Sequence, residues 1–288
     1  MKKKVLVLGS SGMIGHMIYY FLKKTEKYLL FNVAGTRKVD SSTKLIDVHD
    51  FKSLEFFIRE IKPDFIINCI GILINESNKN IHKAIYLNAL FPHLLKNLSY
   101  LFDFKLIHIS TDCVFSGKKK DFYTEFDDKD GFGNYAKTKG LGEIIDERNL
   151  TIRTSVVGPE LKSNGEELFD WFMSQEKEIN GFTNAYWSGV TTIVLAKSII
   201  WFLDNELTGL YNLTNCKKIS KNDLLNIIKY FTKKNIKIKP VKTLFSDKSF
   251  LDTRQELGIK IPSYEFMISE LVDFIKNNLN YYPHYNIK

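Results

Sequence analysis

The first constraint on this chain is a glycine-rich loop near its start. Residues 9–15 read Gly-Ser-Ser-Gly-Met-Ile-Gly and lie between a short apolar segment, residues 5–8, and an apolar stretch that fits a helix. In such a loop Gly9 permits a tight turn, Gly12 lets the backbone approach a pyrophosphate, and Gly15 allows close packing of the helix. Because the free N–H groups at the start of a helix attract phosphate oxygens, the loop predicts a dinucleotide-binding site.

Short β-branched segments alternate with longer periodic stretches through the first 155 residues. This alternation is typical of βα units and predicts an α/β fold with a doubly wound parallel sheet of the Rossmann type. Strands are expected near residues 4–9, 29–35, 64–70, 104–110 and 150–156, and helices near residues 12–24, 50–61, 80–100 and 134–148.

The regular alternation stops after residue 158, which indicates a second unit. Residues 1–158 are predicted to form the dinucleotide-binding domain, with a returning segment near residues 190–215. Residues 159–189 and 216–288 are predicted to form a smaller C-terminal substrate-binding lobe. This lobe should cover the mouth of the sheet, because ligands bind beyond the carboxyl ends of its strands.

Composition and charge exclude several classes of protein. The net charge is +8, but the lysines are scattered and the run Lys118-Lys119-Lys120 is followed by acidic residues, so no nucleic-acid partner is expected. The longest uncharged apolar stretch, residues 65–75, is shorter than the roughly 20 residues that span a bilayer, so no membrane partner is expected. The first apolar run is too short for a signal peptide, which indicates a cytoplasmic protein. The three cysteines and six histidines lack metal-ligand spacing, so no metal is expected.

A Tyr-x-x-x-Lys pair follows the strand predicted near residues 104–110. The chain has four pairs with this spacing, which begin at Tyr19, Tyr20, Tyr135 and Tyr230. Only Tyr135 and Lys139 open a helix after a strand of the predicted sheet, and on that helix their side chains share a face. Hydride reduction of a ketone leaves negative charge on the oxygen, and Tyr135 is predicted to protonate it. Lys139 would favour the phenolate form of Tyr135 and bind the ribose, while the Thr111 hydroxyl would orient the carbonyl.

The GxxGxxG spacing of the loop is similar to that of the extended branch of the short-chain dehydrogenase/reductase superfamily. More specifically, residues 110–117, Glu125 and residues 135–143 resemble the dTDP-4-dehydrorhamnose reductase family. The resemblance covers most of residues 1–160 and implies NAD(P)H-dependent reduction of the 4-keto group of a nucleotide-activated 6-deoxyhexose. The catalytic residues that it implies are Thr111, Tyr135 and Lys139.

Two further features concern the substrate. Cys113 stands where dTDP-sugar reductases commonly have tyrosine and where sugar 4,6-dehydratases typically have an acidic residue, so dehydration is disfavoured. Residues 153–158 and 181–189 resemble relatives that act on UDP-sugars for bacterial surface polysaccharides, which favours UDP over dTDP. Aromatic faces and amide groups suit uracil and sugar hydroxyls. The predicted substrate-binding residues are Thr111, Asp112, Cys113, Asn184, Tyr186 and Trp187.

The residues after the second predicted strand concern the cofactor. Residues 36–38, Thr-Arg-Lys, supply a donor and positive charge suited to a 2′-phosphate, so NADP(H) is favoured over NAD(H). Asp40 leaves NAD(H) open, because a shift in the loop could bring its carboxylate to the ribose. Asp47 and Val48 resemble the superfamily's adenine-contacting pair. The predicted cofactor-binding residues are Gly9, Ser11, Gly12, Met13, Ile14, Gly15, Arg37, Asp47, Val48, Cys69, Ile70, Gly71, Tyr135 and Lys139.

Two other functions stay open. A sugar-nucleotide epimerase with a retained cofactor should need no added NADPH per turnover, whereas a reductase consumes one. A non-catalytic nucleotide-binding regulatory subunit would keep the fold, but the intact Thr111, Tyr135 and Lys139 argue against it. A homo-oligomer also stays open, with no sequence feature to support it.

Overall fold

A computed structural model describes residues 1–254 and 258–287 of the chain. The strands are β1 (Lys4–Leu8), β2 (Leu29–Ala34), β3 (Lys44–Leu45), β4 (Phe65–Asn68), β5 (Lys105–Thr111), β6 (Leu150–Thr154), β7 (Val156–Val157), β8 (Glu178–Phe182), β9 (Ala185–Trp187), β10 (Val190–Thr191), β11 (Gly209–Asn212), β12 (Ile219–Ser220), β13 (Lys237–Val241) and β14 (Ser246–Asp247). The helices are α1 (Met13–Thr25), α2 (Phe51–Ile61), α3 (Ile74–Lys79), α4 (Ile81–Ala84), α5 (Phe91–Leu101), α6 (Gly133–Leu141), α7 (Leu168–Ser174), α8 (Thr192–Asn205), α9 (Lys221–Thr232) and α10 (Tyr264–Lys276), with a π-helical segment at Ile85–Leu90 and a 3₁₀ turn at Asp112–Val114.

Seven parallel strands form the large sheet in the order β11-β6-β5-β4-β1-β2-β3. The order reverses at β1, because the chain leaves β1 for β2 on one side and later enters β4 on the other. A doubly wound sheet of this kind leaves a crevice beyond the carboxyl ends of the strands at the reversal. The predicted α/β fold is therefore confirmed, and the glycine loop follows the strand at which the order reverses.

The central strands are apolar on both faces because helices cover both sides of the sheet. On one side, Met17 of α1 and Ile199 of α8 belong to a buried cluster that also contains Leu271 of α10. On the other side, Leu54 of α2 and Leu95 of α5 pack over the sheet. The first cluster joins α1 to the later part of the chain, so the sheet and the smaller lobe share a core.

Two predicted helices differ from the observed ones. The helix expected over residues 134–148 ends at Leu141, because the chain then turns inward and the buried Glu143 pairs with Arg153. The helix expected over residues 80–100 is divided into α4, the π-helical segment and α5. Both differences depend on tertiary contacts that helical periodicity does not contain.

Outside the large sheet, the chain forms short sheets with the strand orders β10-β7, β12-β9-β14 and β13-β8. The last two sheets lie within the predicted smaller lobe, whereas β7 and β10 belong to residues 1–158 and to the returning segment near residues 190–215. The segment near residues 190–215 returns to the large sheet, where β11 pairs with β6. The exact domain boundaries stay a prediction, and residues 255–257 and 288 of the predicted lobe lie outside the described residues. Across residues 1–254 and 258–287, no helix combines the length and the apolar character needed to cross a membrane.

Candidate active site

The glycine loop has the geometry of a phosphate cradle. Gly9 has a φ of +78°, a conformation that favours glycine. A Cβ atom on Gly15 would lie 2.1 Å from the Gly9 carbonyl oxygen, so only glycine lets α1 start this close to the turn. Gly12 precedes α1 with no side-chain cap, and the first N–H groups of a helix have no intrahelical acceptor. The half-buried Ser11 completes the predicted loop, which fits the pyrophosphate of a dinucleotide.

A groove of about 280 Å³ lies on the β2 side of this loop. It brings together predicted cofactor-binding residues from the segments that follow β1, β3 and β4, namely Gly9, Gly12, Asp47, Val48, Cys69, Ile70 and Gly71. Tyr86 holds the rim by donating a hydrogen bond to the Val48 carbonyl oxygen at 2.8 Å. Further lining residues carry no motif in the sequence and were not predicted; they include His49, Lys83 and Leu87. The groove fits the adenosine half of a dinucleotide.

Arg37 does not lie in this groove. Its guanidinium donates to the Leu161 carbonyl oxygen at 2.6 Å, and Arg37 lines a separate cavity of about 230 Å³. Asp40, the open alternative for the ribose, is engaged by Lys23 at 2.6 Å and by the Tyr19 hydroxyl at 2.8 Å. Neither Arg37, predicted to bind a 2′-phosphate, nor Asp40, the alternative partner of the ribose, lines the adenosine groove.

A second cavity, of about 340 Å³, lies on the other side of the α1 N-terminus. Its lining includes predicted residues from α1, β5, the 3₁₀ turn and α6, namely Met13, Ile14, Thr111, Asp112, Cys113 and Tyr135. The Thr111 hydroxyl accepts from the Cys113 N–H at 3.1 Å and donates to Asp112 at 3.2 Å. The start of α1 thus separates the adenosine groove from a cavity that holds Thr111 and Tyr135 together.

Burial is the largest influence on the pKa values of Tyr135 and Lys139, the two side chains predicted to take part in the reaction. It raises the pKa of Tyr135 above the usual 10.0, against a hydrogen bond with Thr111 that lowers it. The phenol therefore keeps its proton at neutral pH, and the stabilisation of its phenolate by Lys139 stays a prediction. Lys139 donates to the Ile109 carbonyl oxygen at 2.7 Å, and burial lowers its pKa to about 8.

Two supports of the site were not predicted. Arg153 of β6 donates twice to Glu143, at 2.7 and 2.8 Å, and Ser110 of β5 donates to the same carboxylate at 2.7 Å. In the π-helical segment, the Asn88 amide accepts from the Ile72 N–H at 2.9 Å and donates to its carbonyl oxygen at 3.1 Å. π-Helical segments are frequent at functional sites, and this pattern of i→i+5 bonds has no simple sequence signal.

The predicted aromatic substrate contacts lie elsewhere. Trp187 is 2% exposed and packs against Tyr264, with ring centroids 5.6 Å apart. Asn184 exchanges hydrogen bonds with the Thr243 backbone at 2.6 and 2.8 Å, and Tyr186 pairs with the Lys218 ammonium. These three residues do not line the cavity that holds Thr111 and Tyr135, and their role as substrate contacts stays a prediction. The other residues that line the cavity of Thr111 and Tyr135 include Leu73, Ile74, Asn75, Thr154, Ser155, Val156, Glu166 and Glu167.

No group of three or more His, Cys, Asp or Glu side chains is placed to hold a metal ion in the part of the chain that the structure describes. Cys69, Cys113 and Cys216 form no disulfide.

The sheet, the phosphate cradle and the Thr-Tyr-Lys arrangement define an oxidoreductase of the extended short-chain dehydrogenase/reductase type. Residues 2–249 match the RmlD substrate binding domain family, and the chain belongs to this family. The membership confirms the resemblance that the sequence motifs indicated.

Individual relatives agree with this membership. The spore coat polysaccharide biosynthesis protein SpsK of Bacillus subtilis is 27% identical over 217 residues, which cover 74% of this chain and 73% of that protein. The crystal structure of dTDP-4-dehydrorhamnose reductase from Bacillus anthracis in complex with NADP has a TM-score of 0.82 at 22% identity, over 96% of this chain and 100% of that one. The crystal structure of UDP-glucose 4-epimerase from Thermotoga maritima with UDP-glucose has a TM-score of 0.80 at 19% identity. The match covers 96% of this chain and 99% of that one. At these identities the structural similarities show a shared fold.

Proposed function

We propose that this protein uses NADPH to reduce the 4-keto group of a nucleotide-activated 6-deoxyhexose in the synthesis of a surface polysaccharide. One observation carries the proposal: Thr111 and Tyr135 share a cavity with Met13 and Ile14, the first residues of the helix that begins at the phosphate cradle. A dinucleotide bound at the cradle would have the groove of Asp47 and Val48 on one side and Tyr135, the proposed proton donor, on the other. Family membership and the polysaccharide role in the name of the Bacillus subtilis relative support the choice.

The residues that would hold the cofactor are on both sides of the cradle. Gly12 and the first turn of α1 suit the pyrophosphate, Asp47 and Val48 suit the adenosine, and Lys139 suits the ribose beside the nicotinamide. The bound cofactor supplies hydride. All other steps belong to side chains of this chain.

Tyr135 supplies the proton in the proposed reduction. Thr111 orients the ketone by hydrogen bonding, and negative charge develops on the ketone oxygen as its carbon is reduced. The Tyr135 phenol, protonated because burial raises its pKa, donates to that oxygen. Lys139 lies one helical turn after Tyr135, and its ammonium donates to the Ile109 carbonyl oxygen. We propose that its charge stabilises the phenolate that remains after proton transfer.

The preference for UDP over dTDP stays a prediction from residues 153–158 and 181–189, as does the cytoplasmic location. NADPH is proposed over NADH because of the basic loop at residues 36–38 and because the Bacillus anthracis reductase structure contains NADP. Arg37 would have to release Leu161 to reach a 2′-phosphate. Exchange of Arg37 for Asp tests this directly, since an unchanged NADPH preference would contradict a role for Arg37.

The deciding experiment mixes the purified protein with UDP- and dTDP-linked 4-keto-6-deoxyhexoses and follows the absorbance of NADPH and of NADH. One equivalent of NADPH lost per product is expected. Tight dinucleotide binding without oxidation would contradict the reductase. Conversion of a sugar nucleotide without net NADPH loss would instead identify an epimerase, the alternative that the Thermotoga maritima epimerase fold keeps open.

A further inference from the structure

Glu167 lies in the catalytic cavity although no sequence motif marks it. It lines the cavity together with Tyr135 and Asp112. Its backbone N–H donates to the Glu160 carboxylate at 3.2 Å, which fixes the chain where α7 begins. A half-buried carboxyl group therefore shares a small cavity with the proposed proton donor.

Charges from several parts of the chain face Glu167. Glu166 precedes it, Glu160 lies in the preceding loop, Asp112 follows β5, and Lys221 opens α9. Burial and then the charge of Glu160 raise the pKa of Glu167 to about 7, while Lys221 opposes this rise. Near neutral pH the group thus exists in both protonation states.

The pKa of Tyr135 depends on whether Glu167 is ionised. Burial is the main reason for the raised pKa of Tyr135. The Cys113 thiol, whose own pKa is raised to about 11, adds to the rise only when it is ionised at high pH, whereas the negative charges of Glu167 and Asp112 also raise the pKa of Tyr135. A higher phenol pKa makes a weaker acid. Reduction needs Tyr135 to release its proton, so an ionised Glu167 opposes the step.

Two lysines, Lys221 and Lys248, also lie near Asp112 and Cys113. Lys248 faces Cys113 and Asp112, and these two groups raise the pKa of Lys248 against burial. Burial lowers the pKa of Lys221. Neither lysine is among the groups that shift the pKa of Tyr135.

We propose that Glu167 is a positioning residue for the reduction, and that its protonated carboxyl group keeps Tyr135 an effective proton donor at neutral pH. The inference rests on the proposed reductase function. The ketone carbon accepts hydride from the reduced nicotinamide, the ketone oxygen takes the proton of Tyr135, and Glu167 keeps its own proton throughout. Above neutral pH Glu167 ionises and the reduction slows.

The pH dependence of kcat/KM tests this inference in the wild type and in Glu167→Gln, which is always neutral. With a pKa about 7, roughly a tenth of Glu167 keeps its proton at pH 8. The ratio of variant to wild-type kcat/KM should therefore rise up to about tenfold between pH 6 and pH 8. At higher pH, kcat/KM should fall in both proteins as Lys139, whose pKa is about 8, loses its proton.

Glu166→Gln is the matched control. Glu166 is the neighbouring cavity residue and accepts a hydrogen bond from Asn75 at 3.1 Å, which glutamine can also accept. The charge of Glu166 is the smallest of the named influences that raise the pKa of Glu167, so this variant should move the pH profile only slightly to lower pH and keep its shape. A constant ratio for Glu167→Gln, or an equal effect of Glu166→Gln, would overturn the inference while leaving the reductase function intact.

A second measurement needs no substrate. A ¹³C NMR titration of glutamate carboxyl groups in the full chain should show one resonance that titrates near pH 7 and is absent from Glu167→Gln. Titration of that resonance in the ordinary range, about 4.3, would overturn the inference whatever the activity. Failure of the wild type to oxidise NADPH with any keto-sugar would instead reject the proposed function.

Discussion

At the scale of single residues, position separates Tyr135 from the other tyrosines that precede a lysine by four residues. Tyr19 bonds to Asp40, Tyr20 to Asn278, and Tyr230 is 65% exposed. Tyr135 alone among these four enters the cavity beside Thr111. Spacing places two side chains on one helical face, but only the fold determines what that face meets.

We expect Tyr135→Phe to lower kcat by at least about 100-fold, because it removes the proton donor while keeping the ring. NADPH binding, followed by fluorescence, should change little. Tyr230→Phe is the control, since it removes a hydroxyl from a pair with the same spacing far from the cavity. Substantial turnover in Tyr135→Phe would show that another group supplies the proton.

The sequence predicted the residues whose role depends on local chain geometry and missed those whose role depends on distant partners. The glycine loop and Thr111 lie next to strands of regular pattern, so their place at the sheet edge could be inferred. Trp187 was predicted as a substrate contact, but aromatic residues serve binding and packing equally well. In the structure its ring is buried against Tyr264, and its role in substrate binding stays a prediction. Glu167 was missed because its chain segment follows no periodic pattern.

At the scale of elements, the contact between the glycine loop and α1 sets the shape of the phosphate cradle. We expect Gly15→Ala to force these elements apart, because its Cβ would lie 2.1 Å from the Gly9 oxygen and 2.8 Å from the Gly9 carbonyl carbon. Overpacking of this kind costs about 1–3 kcal/mol in the free energy of unfolding. Urea denaturation should show the loss, and NADPH titration should show weaker binding.

Gly35→Ala is the control for that stability loss. Gly35 lines the same groove, but its added Cβ would meet nothing within 4 Å. Its free energy of unfolding should stay within about 1 kcal/mol of the wild type. Equal stabilities for the two alanine variants would mean that the loop and α1 are not closely constrained.

The buried ion pair between Glu143 and Arg153 joins the turn after α6 to β6. Glu143→Gln would leave the charge of Arg153, which is 1% exposed, without its carboxylate. Loss of one partner from a buried pair costs about 3–5 kcal/mol. Thermal unfolding should therefore show a clearly lower midpoint than for Glu147→Gln, an exposed glutamate in the same turn. Equal midpoints would contradict a structural role for the pair.

At the scale of the whole molecule, His16 connects the phosphate cradle to the C-terminal part of the chain. Its Nδ1 lies 2.9 Å from the Gly12 carbonyl oxygen, and its Nε2 lies 2.8 Å from the Tyr282 hydroxyl. The neutral ring satisfies both contacts when Nδ1–H donates and Nε2 accepts from Tyr282. Protonation would place a positive charge on a ring that is 7% exposed, so the packing of the first helix against residues near Tyr282 favours a neutral His16.

This dependence predicts a loss of stability in mild acid. Burial lowers the pKa of His16 from 6.5 to about 4, so the unfolded chain binds more protons than the folded chain between these values. The contribution of His16 is therefore complete above pH 6.5 and decreases as the pH falls, by about 2 kcal/mol at pH 5. Urea denaturation at pH 7 and pH 5 measures this loss, which His16→Gln should remove. His108, whose pKa burial also lowers, continues to contribute in that variant, so a smaller acid-dependent loss should remain. An unchanged loss in His16→Gln would show that the cradle and the C-terminal residues are not joined through a neutral histidine.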